Sequence, residues 1–395
     1  MKALFLVRDL PYPATHGYKK RNYFLIKALS ERNIDITLFV ENADKDGTEA
    51  ITHLKSYCKE IKIIKTKRQN KLLTAFFSLF SSLPFSLKLR LSPKTKKTIA
   101  QYIKENPQDL IICDAIHRAL NLPLYNKAYK ILYEHNIEST IIKRYAKLEK
   151  NILKKLFAFV EYLKFKKIEE KIWRMFNCVA ACSLLDKKII QERTKGVKVI
   201  TVNNGVESGY FNPNSYKIEE NSLVYTGQIG WHPNEDALIY FVKNIYPLIK
   251  KEKPGVKFWI VGDKPSDRIK DLANSDKSII VTGFVEDIRE HMGKAQVFIV
   301  PLRIGAGSRL KILEALSMKK AIVTTSIGCE GLEVENNRHL LIRDTTRDFA
   351  IAVREILNNP AGYLNLGENG RKLIEEKYDW NAVFNSLDEV LAGIP

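Results

Sequence analysis

The sequence contains few cysteines and no pattern that indicates a structural metal. Only five cysteines occur in 395 residues, scattered and mostly within apolar runs: Cys58, Cys113, Cys178, Cys182 and Cys329. This usage indicates neither a disulfide framework nor a zinc site, so we expect core thiols. Low-complexity tracts and repeats of roughly 20 to 50 residues are also absent, which argues against a disordered or solenoid protein.

The sequence also lacks a hydrophobic run that is long enough to cross a bilayer. Residues 72–87 are strongly apolar, but these sixteen residues include Pro84 and fall short of the roughly 20 that a spanning helix needs. The N-terminal apolar run ends at Arg8 and Asp9, too early for a signal peptide. We therefore expect a cytoplasmic protein.

Acidic residues are scarce in the first half of the chain. Residues 1–200 hold 40 Lys+Arg and 19 Asp+Glu, a net charge of +21, whereas residues 201–395 hold 24 and 26, a net charge of −2. Residues 51–100 contain twelve basic residues and one acid, Glu60. Such a surface attracts anionic lipid headgroups, polyanionic acceptors or nucleic acid, unless it is simply a solvated lysine-rich face.

The apolar segment 72–87 lies within this basic region. Basic residues flank it on both sides: Lys67, Arg68, Lys71, Lys88 and Arg90. Leu72, Phe76, Phe80 and Leu83 recur at helical spacing with serines opposite them. This pattern is typical of a helix at a membrane interface and equally of a core-facing helix. Because of the flanking charge, we favour peripheral contact with an anionic membrane.

A second basic helical stretch covers residues 141–176. Its apolar residues recur at helical spacing with lysines between them: Tyr145, Leu148, Ile152, Leu156, Val160 and Leu163. We expect one long helix with this stripe in the core and the lysines on the exposed face.

Strand-like apolar runs alternate with helical stretches along the chain. The first series comprises 3–7, 36–40, 61–64, 110–113, 130–133, 179–181 and 197–202. The second series comprises 223–226, 257–261, 279–282, 297–300 and 321–324. Residues 203–216, rich in Asn, Gly, Ser and Pro, separate the two series. The pattern predicts two doubly wound α/β domains with parallel sheets, which bind ligands beyond the carboxyl ends of their strands and would form a cleft if they faced each other.

The most informative segment is VPLRIGAGSRLKILEAL, residues 300–316. A buried strand ends there at a turn in which Gly305 and Gly307 allow the backbone to approach a ligand. The helix that follows, predicted over about residues 308–317, offers amide groups to an anion, and three cations lie nearby: Arg303, Arg309 and Lys311. Glu314, one turn later, can accept hydrogen bonds from ribose hydroxyls. The segment thus suits a nucleoside diphosphate, although a strand, a polar turn and an ordinary amphipathic helix would look the same.

The chain resembles the retaining nucleotide-sugar glycosyltransferases of family 4, which have the GT-B fold. The resemblance rests on VYTGQIGWHPNEDAL (224–238), FWIVGDKP (258–265), residues 281–325 and GCEGLEVENNRHLLI (328–342). It implies two facing Rossmann-like domains: an acceptor-binding domain over 1–205 and a nucleotide-sugar-binding domain over 206–375. It also implies a C-terminal helix, residues 376–395, that crosses back to the first domain.

The resemblance also implies roles for individual residues on the donor side. Lys311 and Arg309 would contact the diphosphate, Glu314 the ribose, and the turn Gly283 to Val285 the nucleobase. Gly17 would lie in a glycine loop near the donor phosphates. The implied donor-binding set is Gly17, Gly227, Gly283, Val285, Arg303, Gly305, Gly307, Ser308, Arg309, Lys311 and Glu314.

The chain departs from the commonest family pattern in three places. The Arg and Lys that often follow the glycine at position 227 are absent, and Gln228, His232 and Asn234 occur nearby instead. Arg303 and Arg309 would supply the missing charge. The first glutamate of the family's paired-glutamate motif falls at Ala306, so the sugar cannot be inferred. Gly17 is also a single glycine where two are common.

On the acceptor side, polar residues follow two predicted strands. Asp114 comes just past a strand end, at about the position where many relatives carry a histidine beside the transferred sugar. Either Asp114 or His117 is expected to face the cleft, and Glu134, His135 and Asn136 follow the next strand. The candidate catalytic residues are therefore Asp114, His135 and His117.

The predicted activity is transfer of a sugar from a nucleotide sugar to a glycan or lipid-linked acceptor, in capsule, O-antigen or exopolysaccharide synthesis. We expect no cofactor and no essential metal, and we regard the D-x-D formed by Asp44 and Asp46 as coincidental. The alternatives are a nucleotide-sugar epimerase of the same fold and a basic nucleic-acid-binding protein, although we expect no nucleic-acid partner. A dinucleotide-dependent oxidoreductase is disfavoured, because the first strand is not followed by G-x-G-x-x-G.

Overall fold

A computed structural model describes residues 1–15, 17–42, 47–66, 69–123, 126–213, 216–305, 307–385, 387–392 and 394. The chain forms two compact units, one of residues 1–203 with 384–395 and one of residues 204–383. The second unit therefore extends further toward the C-terminus than the predicted border at 375. Five positions considered above lie outside the described residues: Asp44, Asp46, Lys67, Arg68 and Ala306.

The first unit is built on a parallel sheet of seven strands, in the order β3-β2-β1-β4-β5-β6-β7. Its strands are β1 (Lys2–Asp9), β2 (Asp35–Asn42), β3 (Glu60–Ile63), β4 (Leu110–Asp114), β5 (Tyr129–Tyr133), β6 (Cys178–Ala181) and β7 (Lys198–Thr201). The inner strand β1 pairs Ala3 with Ile36 of β2 on one side and with Leu110 of β4 on the other. Strands that are covered on both faces need continuous apolar runs, which the inner strands β1, β4 and β6 provide.

Helices connect the strands of the first unit. They are α1 (Gly17–Glu31), α2 (Thr48–Leu54), α3 (Lys71–Leu79), α4 (Phe85–Lys88), α5 (Pro93–Glu105), α6 (Ile116–Ala119), α7 (Glu138–Leu148), α8 (Ile152–Trp173) and α9 (Leu184–Arg193). Polar caps fix several starts: the Asn70 side chain accepts from the amides of Leu72 and Leu73, and Ser183 accepts from the amide of Asp186.

The second unit contains a six-stranded parallel sheet, in the order β10-β9-β8-β11-β12-β13. Its strands are β8 (Glu219–Thr226), β9 (Lys257–Val261), β10 (Ile279–Gly283), β11 (Ala295–Val300), β12 (Ala321–Thr324) and β13 (Leu341–Ile342). Its helices are α10 (His232–Tyr240), α11 (Tyr246–Glu252), α12 (Asp267–Ser275), α13 (Ile288–Lys294), α14 (Leu310–Ser317), α15 (Thr346–Asn358) and α16 (Leu364–Leu373). The prediction of two doubly wound parallel-sheet α/β domains is confirmed.

The C-terminal segment is not one helix over 376–395. A π turn (Ile374–Tyr378) is followed by α17 (Trp380–Asn385) and α18 (Leu387–Ala392). Residues 384–395 belong to the first unit, where the Arg32 guanidinium donates to the Asp388 carboxylate at 2.6 Å and to the Phe384 carbonyl at 2.9 Å.

Two predictions about residues 141–176 are wrong. The stretch forms two helices, α7 and α8, because Asn151 interrupts it and caps α8 by accepting from the amides of Leu153 and Lys154. The predicted core stripe is largely at the surface: Ile152 is 74% exposed, and Leu156 and Leu163 are also exposed. Sequence periodicity identifies an apolar face, but it does not say whether the protein covers that face.

Other expectations agree with the structure. All five cysteines are buried and none of them forms a disulfide, as expected for core thiols. In the described ranges, no helix combines the length and the apolar character that crossing a bilayer requires.

Candidate functional site

Most of the donor residues predicted in the second unit lie at the place where its strand order reverses, whereas Gly283 and Val285 lie at the end of β10. Doubly wound sheets bind ligands beyond the carboxyl ends of the strands at this position. The reversal lies between β8, which ends at Thr226, and β11, which ends at Val300. Gly227 follows the first of these strands, and the glycine turn that leads to α14 follows the second.

Lys311 lies in the first turn of α14 and points its ammonium group at the end of β8. Its Nζ donates to Asn234 Oδ1 at 3.3 Å and lies 3.7 Å from the centre of the Tyr225 ring. Asn234 is itself fixed, because its Oδ1 accepts from the Tyr225 hydroxyl at 2.6 Å and its Nδ2 donates to the Gln228 carbonyl at 2.7 Å. The amide, the ring and the lysine therefore form one ordered group.

The charge of Lys311 is disfavoured in the free protein. Burial, reinforced by the nearby Arg309 guanidinium and only partly opposed by Glu314, holds the pKa of Lys311 well below its usual range. An anion bound beside the Nζ would reverse this effect, since an opposite charge favours the protonated form. Such a lysine is suited to receive a phosphate.

Close packing at the sheet edge requires glycine at two adjoining positions. Gly227 has a φ of +142°, and a Cβ there would lie 2.8 Å from Lys311 Nζ. A Cβ on Gly262, which has a φ of +150°, would overlap the Gly227 carbonyl oxygen. The Gly262 amide also donates to the Gly283 carbonyl at 3.1 Å, and the Gly227 amide donates to the Val261 carbonyl at 3.0 Å, so residues 261–262 link the loop at Gly227 to the turn at Gly283.

Arg309 is buried beneath the glycine turn. Its Nη1 donates to the Gly307 carbonyl at 2.8 Å, and a Cβ on Gly305 would meet the guanidinium, with Arg309 Cζ at 2.8 Å. Gly305 and Gly307 have φ values of +154° and +72°, which favour glycine. Arg309 therefore shapes the turn in addition to contributing charge.

Arg303 is engaged in an ion pair with Asp236. Its guanidinium makes two hydrogen bonds to the Asp236 carboxylate, at 2.6 and 3.1 Å, and stacks over the Tyr240 ring at 4.3 Å. Its charge is thus already matched, and a phosphate would have to compete with Asp236 for it.

The remaining donor-side residues occupy the same edge. Glu314 is buried on α14, one turn after Lys311, on the same face of the helix. The Ser308 hydroxyl accepts from Asn204 Nδ2 at 2.9 Å, and the helix starts at Leu310 rather than at the predicted Ser308. Val285 packs its side chain against the core of the second unit, so the turn presents backbone and the exposed Phe284 side chain.

In the first unit, the structure brings together Asp114 and His135. Asp114 ends β4 at the reversal between β1 and β4, and its Oδ1 is in direct hydrogen-bond contact with His135 Nε2. Burial raises the pKa of Asp114, but His135, Arg118 and a hydrogen bond from Asn22 outweigh that effect and leave the pKa below its usual value. The pair is therefore an ionised carboxylate that orients an imidazole.

Arg118 holds the backbone of Asp114 in place. Its Nη1 donates to the Asp114 carbonyl at 2.9 Å, and its Nε lies 3.6 Å from Glu41 Oε2. Glu41 also accepts from Asn121 Nδ2 at 2.6 Å. The carboxyl ends of β2 and β4 are thus joined by a buried charged network.

His117 does not join the dyad. It lies on α6, with its Nε2 at 3.5 Å from the Ser86 hydroxyl and its ring beside Phe165. Burial, Arg90 and Arg118 hold the pKa of His117 well below its usual value, so its imidazole is neutral. Gly17 is exposed and begins α1 after the loop that follows β1.

Glu134 points inward, away from the expected catalytic cluster. It is 3% exposed, and its Oε1 accepts from Trp173 Nε1 at 2.8 Å. Burial raises the pKa of Glu134 to about 8, so it is a neutral structural acid at pH 7.

Sequence reasoning missed Tyr225, Asn22 and Arg118. Their roles depend on contacts between elements that are distant in the chain, and only the position of Tyr225 two residues before the glycine at 227 gave a local signal. In the part of the chain that the structure describes, no group of three or more His, Cys, Asp or Glu side chains is placed to hold a metal ion.

Comparison with known proteins agrees with this arrangement. Residues 220–359 match the family model described as glycosyl transferases group 1. A Klebsiella pneumoniae protein described as an uncharacterized 44.6 kDa protein in the cps region is 24% identical over 395 residues, which cover 98% of each chain.

Two solved structures illustrate the similarity of the fold. Sucrose-phosphate synthase from Thermosynechococcus elongatus has a TM-score of 0.73 at 16% identity, over 99% of this chain and 98% of that one. HepE from Anabaena, solved in complex with UDP-glucose, has a TM-score of 0.69 at 13% identity, over 99% of both chains. With the matched segment placed around Lys311, these findings identify the protein as a glycosyltransferase with the GT-B fold.

Proposed function

We propose that this glycosyltransferase moves a sugar, with retention of anomeric configuration, from a nucleoside-diphosphate sugar to a hydroxyl of a glycan or lipid-linked acceptor. The observation that carries the proposal is the Lys311 site. A half-buried lysine with a depressed pKa is held there by Asn234 and Tyr225, at the reversal of the sheet. Such a lysine is suited to bind an anion, whose negative charge favours its protonated form.

Two relatives guide the choice of substrates. HepE was solved with UDP-glucose, so uridine nucleotides are the first donors to test. The Klebsiella relative is described by its place in a cps region, which supports our proposal that the acceptor belongs to a cell-envelope polysaccharide.

The chemistry follows from the charges that develop. Breaking the bond between sugar and phosphate leaves negative charge on the departing diphosphate, and fixed cations and helix amides stabilise it. Lys311, Arg309 and the first amides of α14 supply this positive charge in the second unit. We therefore propose that transfer needs no divalent metal and no cofactor, and that activity survives saturating EDTA.

Asp114 and His135 are proposed to position the acceptor. The ionised carboxylate fixes the imidazole, which can then hydrogen bond to a sugar hydroxyl. For a retaining reaction we propose that the acceptor hydroxyl attacks on the face of the leaving group and passes its proton to a phosphate oxygen, so that no protein nucleophile is required.

A donor panel tests the proposal directly. UDP-, GDP-, ADP- and dTDP-sugars are incubated with the protein and lipid-linked or polysaccharide acceptors, and the released nucleoside diphosphate is measured. Lys311→Ala should lower turnover about 10²- to 10³-fold, as for removal of a key electrostatic donor. The matched control is Lys320→Ala, because Lys320 is a buried lysine of the same unit, whose Nζ donates to the Gly293 carbonyl at 3.0 Å.

Three outcomes would contradict the proposal. If Lys311→Ala turns over at a rate close to that of the wild type, Lys311 does not form the donor site. Conversion of the donor sugar without any acceptor would indicate an epimerase. Salt-dependent binding to duplex DNA without affinity for any nucleotide sugar would favour a nucleic-acid-binding protein.

We also propose that the protein works in the cytoplasm at the inner face of the membrane. The support is α3, whose apolar side chains face outward: Leu72 and Phe80 are 84% and 81% exposed.

A further inference from the structure

Helix α3 has its polar side inside and its apolar side outside. Thr74 and Ser78 are buried, whereas Leu72, Phe76 and Phe80 on the opposite face are exposed. The buried side contacts α8, since Lys164 Nζ donates to the Ser78 carbonyl at 2.5 Å. The hydrophobic effect alone would turn the helix over, so the exposed face is expected to have an apolar partner.

Helix α8 exposes a second apolar stripe. Ile152, Leu156, Phe159 and Leu163 are all exposed, and their spacing of four, three and four residues places them on one face of the helix. The same helix contacts α3 through Lys164 and the start of α4 through Glu161, whose Oε2 accepts from the Phe85 amide at 2.7 Å.

An apolar groove of about 500 Å³ runs between α7 and α8. Its apolar lining consists of Ala146, Ile152, Leu156, Phe159 and Tyr162, and three lysines complete it: Lys143, Lys147 and Lys155. All three lysines are exposed. A groove with apolar walls and a rim of ammonium groups complements a hydrocarbon chain that carries an anionic head.

The charge of this surface favours an anionic lipid over a second copy of the protein as the occupant of the groove. Residues 141–167 contain nine basic and two acidic residues, so two such surfaces would repel each other. An anionic lipid surface instead attracts each of these charges.

We infer that the α7–α8 groove is a lipid-binding site, which takes an acyl chain of an anionic phospholipid from the membrane leaflet on which α3 and α8 lie. The inference rests on the proposed function for its setting at the membrane, but lipid binding is measured without donor or acceptor. Its failure is therefore distinguishable from failure of the transferase proposal.

The experiment separates the groove from the membrane surface with two probes. Dioctanoyl phosphatidylglycerol, used below its micelle concentration, reports the groove by calorimetry. Vesicles of phosphatidylcholine with or without phosphatidylglycerol report the whole surface by co-sedimentation. Leu156→Glu should abolish binding of the short-chain lipid. Phe76→Glu on α3 should leave that binding intact and weaken only the binding to vesicles.

A triple variant tests the contribution of the three lysines at the rim of the groove. Replacing Lys143, Lys147 and Lys155 by alanine should weaken binding to phosphatidylglycerol vesicles by up to about a hundredfold. Leu364→Glu, at a 67% exposed leucine of the second unit, is the matched control and should bind like the wild type. Release of nucleoside diphosphate with a soluble acceptor should be unchanged in every variant.

Three results would overturn the inference. One is the absence of binding to dioctanoyl phosphatidylglycerol. Another is equal binding of phosphatidylcholine and phosphatidylglycerol. The third is a concentration-dependent dimer that disappears in Leu156→Glu, because the groove would then be covered by another copy of the chain.

Discussion

Replacing Asn234 by aspartate tests the claim that Lys311 becomes protonated when the donor diphosphate binds. The carboxylate would lie where Asn234 Oδ1 now accepts from Lys311 Nζ at 3.3 Å. At that distance and an effective dielectric constant of about 20, two unit charges attract by about 5 kcal/mol. The new ion pair would raise the pKa of Lys311 and keep it protonated in the free protein.

The diphosphate must then compete with a resident anion. Part of the competition is offset, because the lysine no longer has to gain a proton on binding. We therefore expect a net loss of about 1.4 to 2.8 kcal/mol, roughly tenfold to a hundredfold in Kd.

The dependence of binding on pH should change as well. In the wild type, the bound diphosphate raises the pKa of Lys311 from its depressed value in the free protein. Affinity is then greatest below the free-protein pKa and falls as the pH rises above it, by at most about tenfold per unit. Binding in that range takes up a proton. In Asn234→Asp both the alkaline decline and the proton uptake should be much smaller.

Calorimetry with UDP over a series of pH values below the usual lysine pKa of about 10.4, in two buffers with different enthalpies of ionisation, measures the affinity and the proton count together. Asn244→Asp is the matched control, because Asn244 is exposed and its Nδ2 donates to the Tyr240 carbonyl at 3.0 Å. Wild-type affinity in Asn234→Asp, or wild-type binding without proton uptake, would refute the role assigned to Lys311.

Three further predictions concern other parts of the chain. Asp114→Asn should lower transfer by at least about tenfold while leaving UDP affinity unchanged, since it removes the charge that orients His135; equal losses in both assays would contradict this. Gly305→Ala should lower thermal stability by about 1 to 3 kcal/mol and weaken UDP binding, because its methyl group meets the Arg309 guanidinium; an unchanged melting temperature would count against it. Glu134→Gln should flatten the pH dependence of stability. The pKa of Glu134 is about 8 in the folded protein and about 4.5 in the unfolded chain, so the stability of the wild type falls as the pH rises through that window. Parallel unfolding profiles of the two proteins from pH 5 to 8 would disprove the assignment.

Much of the fold follows from local patterns in the sequence. Residues 297–300 form a strand because they are apolar throughout, and Gly305 and Gly307 mark the turn that follows it. The two-residue strand β13 has too short an apolar run to be distinguished from a loop. α14 begins two residues later than predicted, because Arg309 adopts an extended conformation that no local pattern reveals.

The candidate site could be predicted less completely. Lys311 and Asp114 are identified by their places after strands, but the partners that set their charge states are not. Tyr225 and Asn234 reach Lys311 only after β8, α10 and α14 have packed together. The apolar stripe of α8 shows the same limitation, since the pattern at Ile152 and Leu156 is that of a core helix and only the three-dimensional structure shows it uncovered.

The outward face of α3 bears on how much of this protein a cell can hold. Each molecule that finds no bilayer would keep Leu72, Phe76 and Phe80 in contact with water, and such a row promotes self-association. Its yield in a producing strain should therefore increase with the available lipid area, and extraction in mild detergent should recover material that is lost to precipitation in plain buffer.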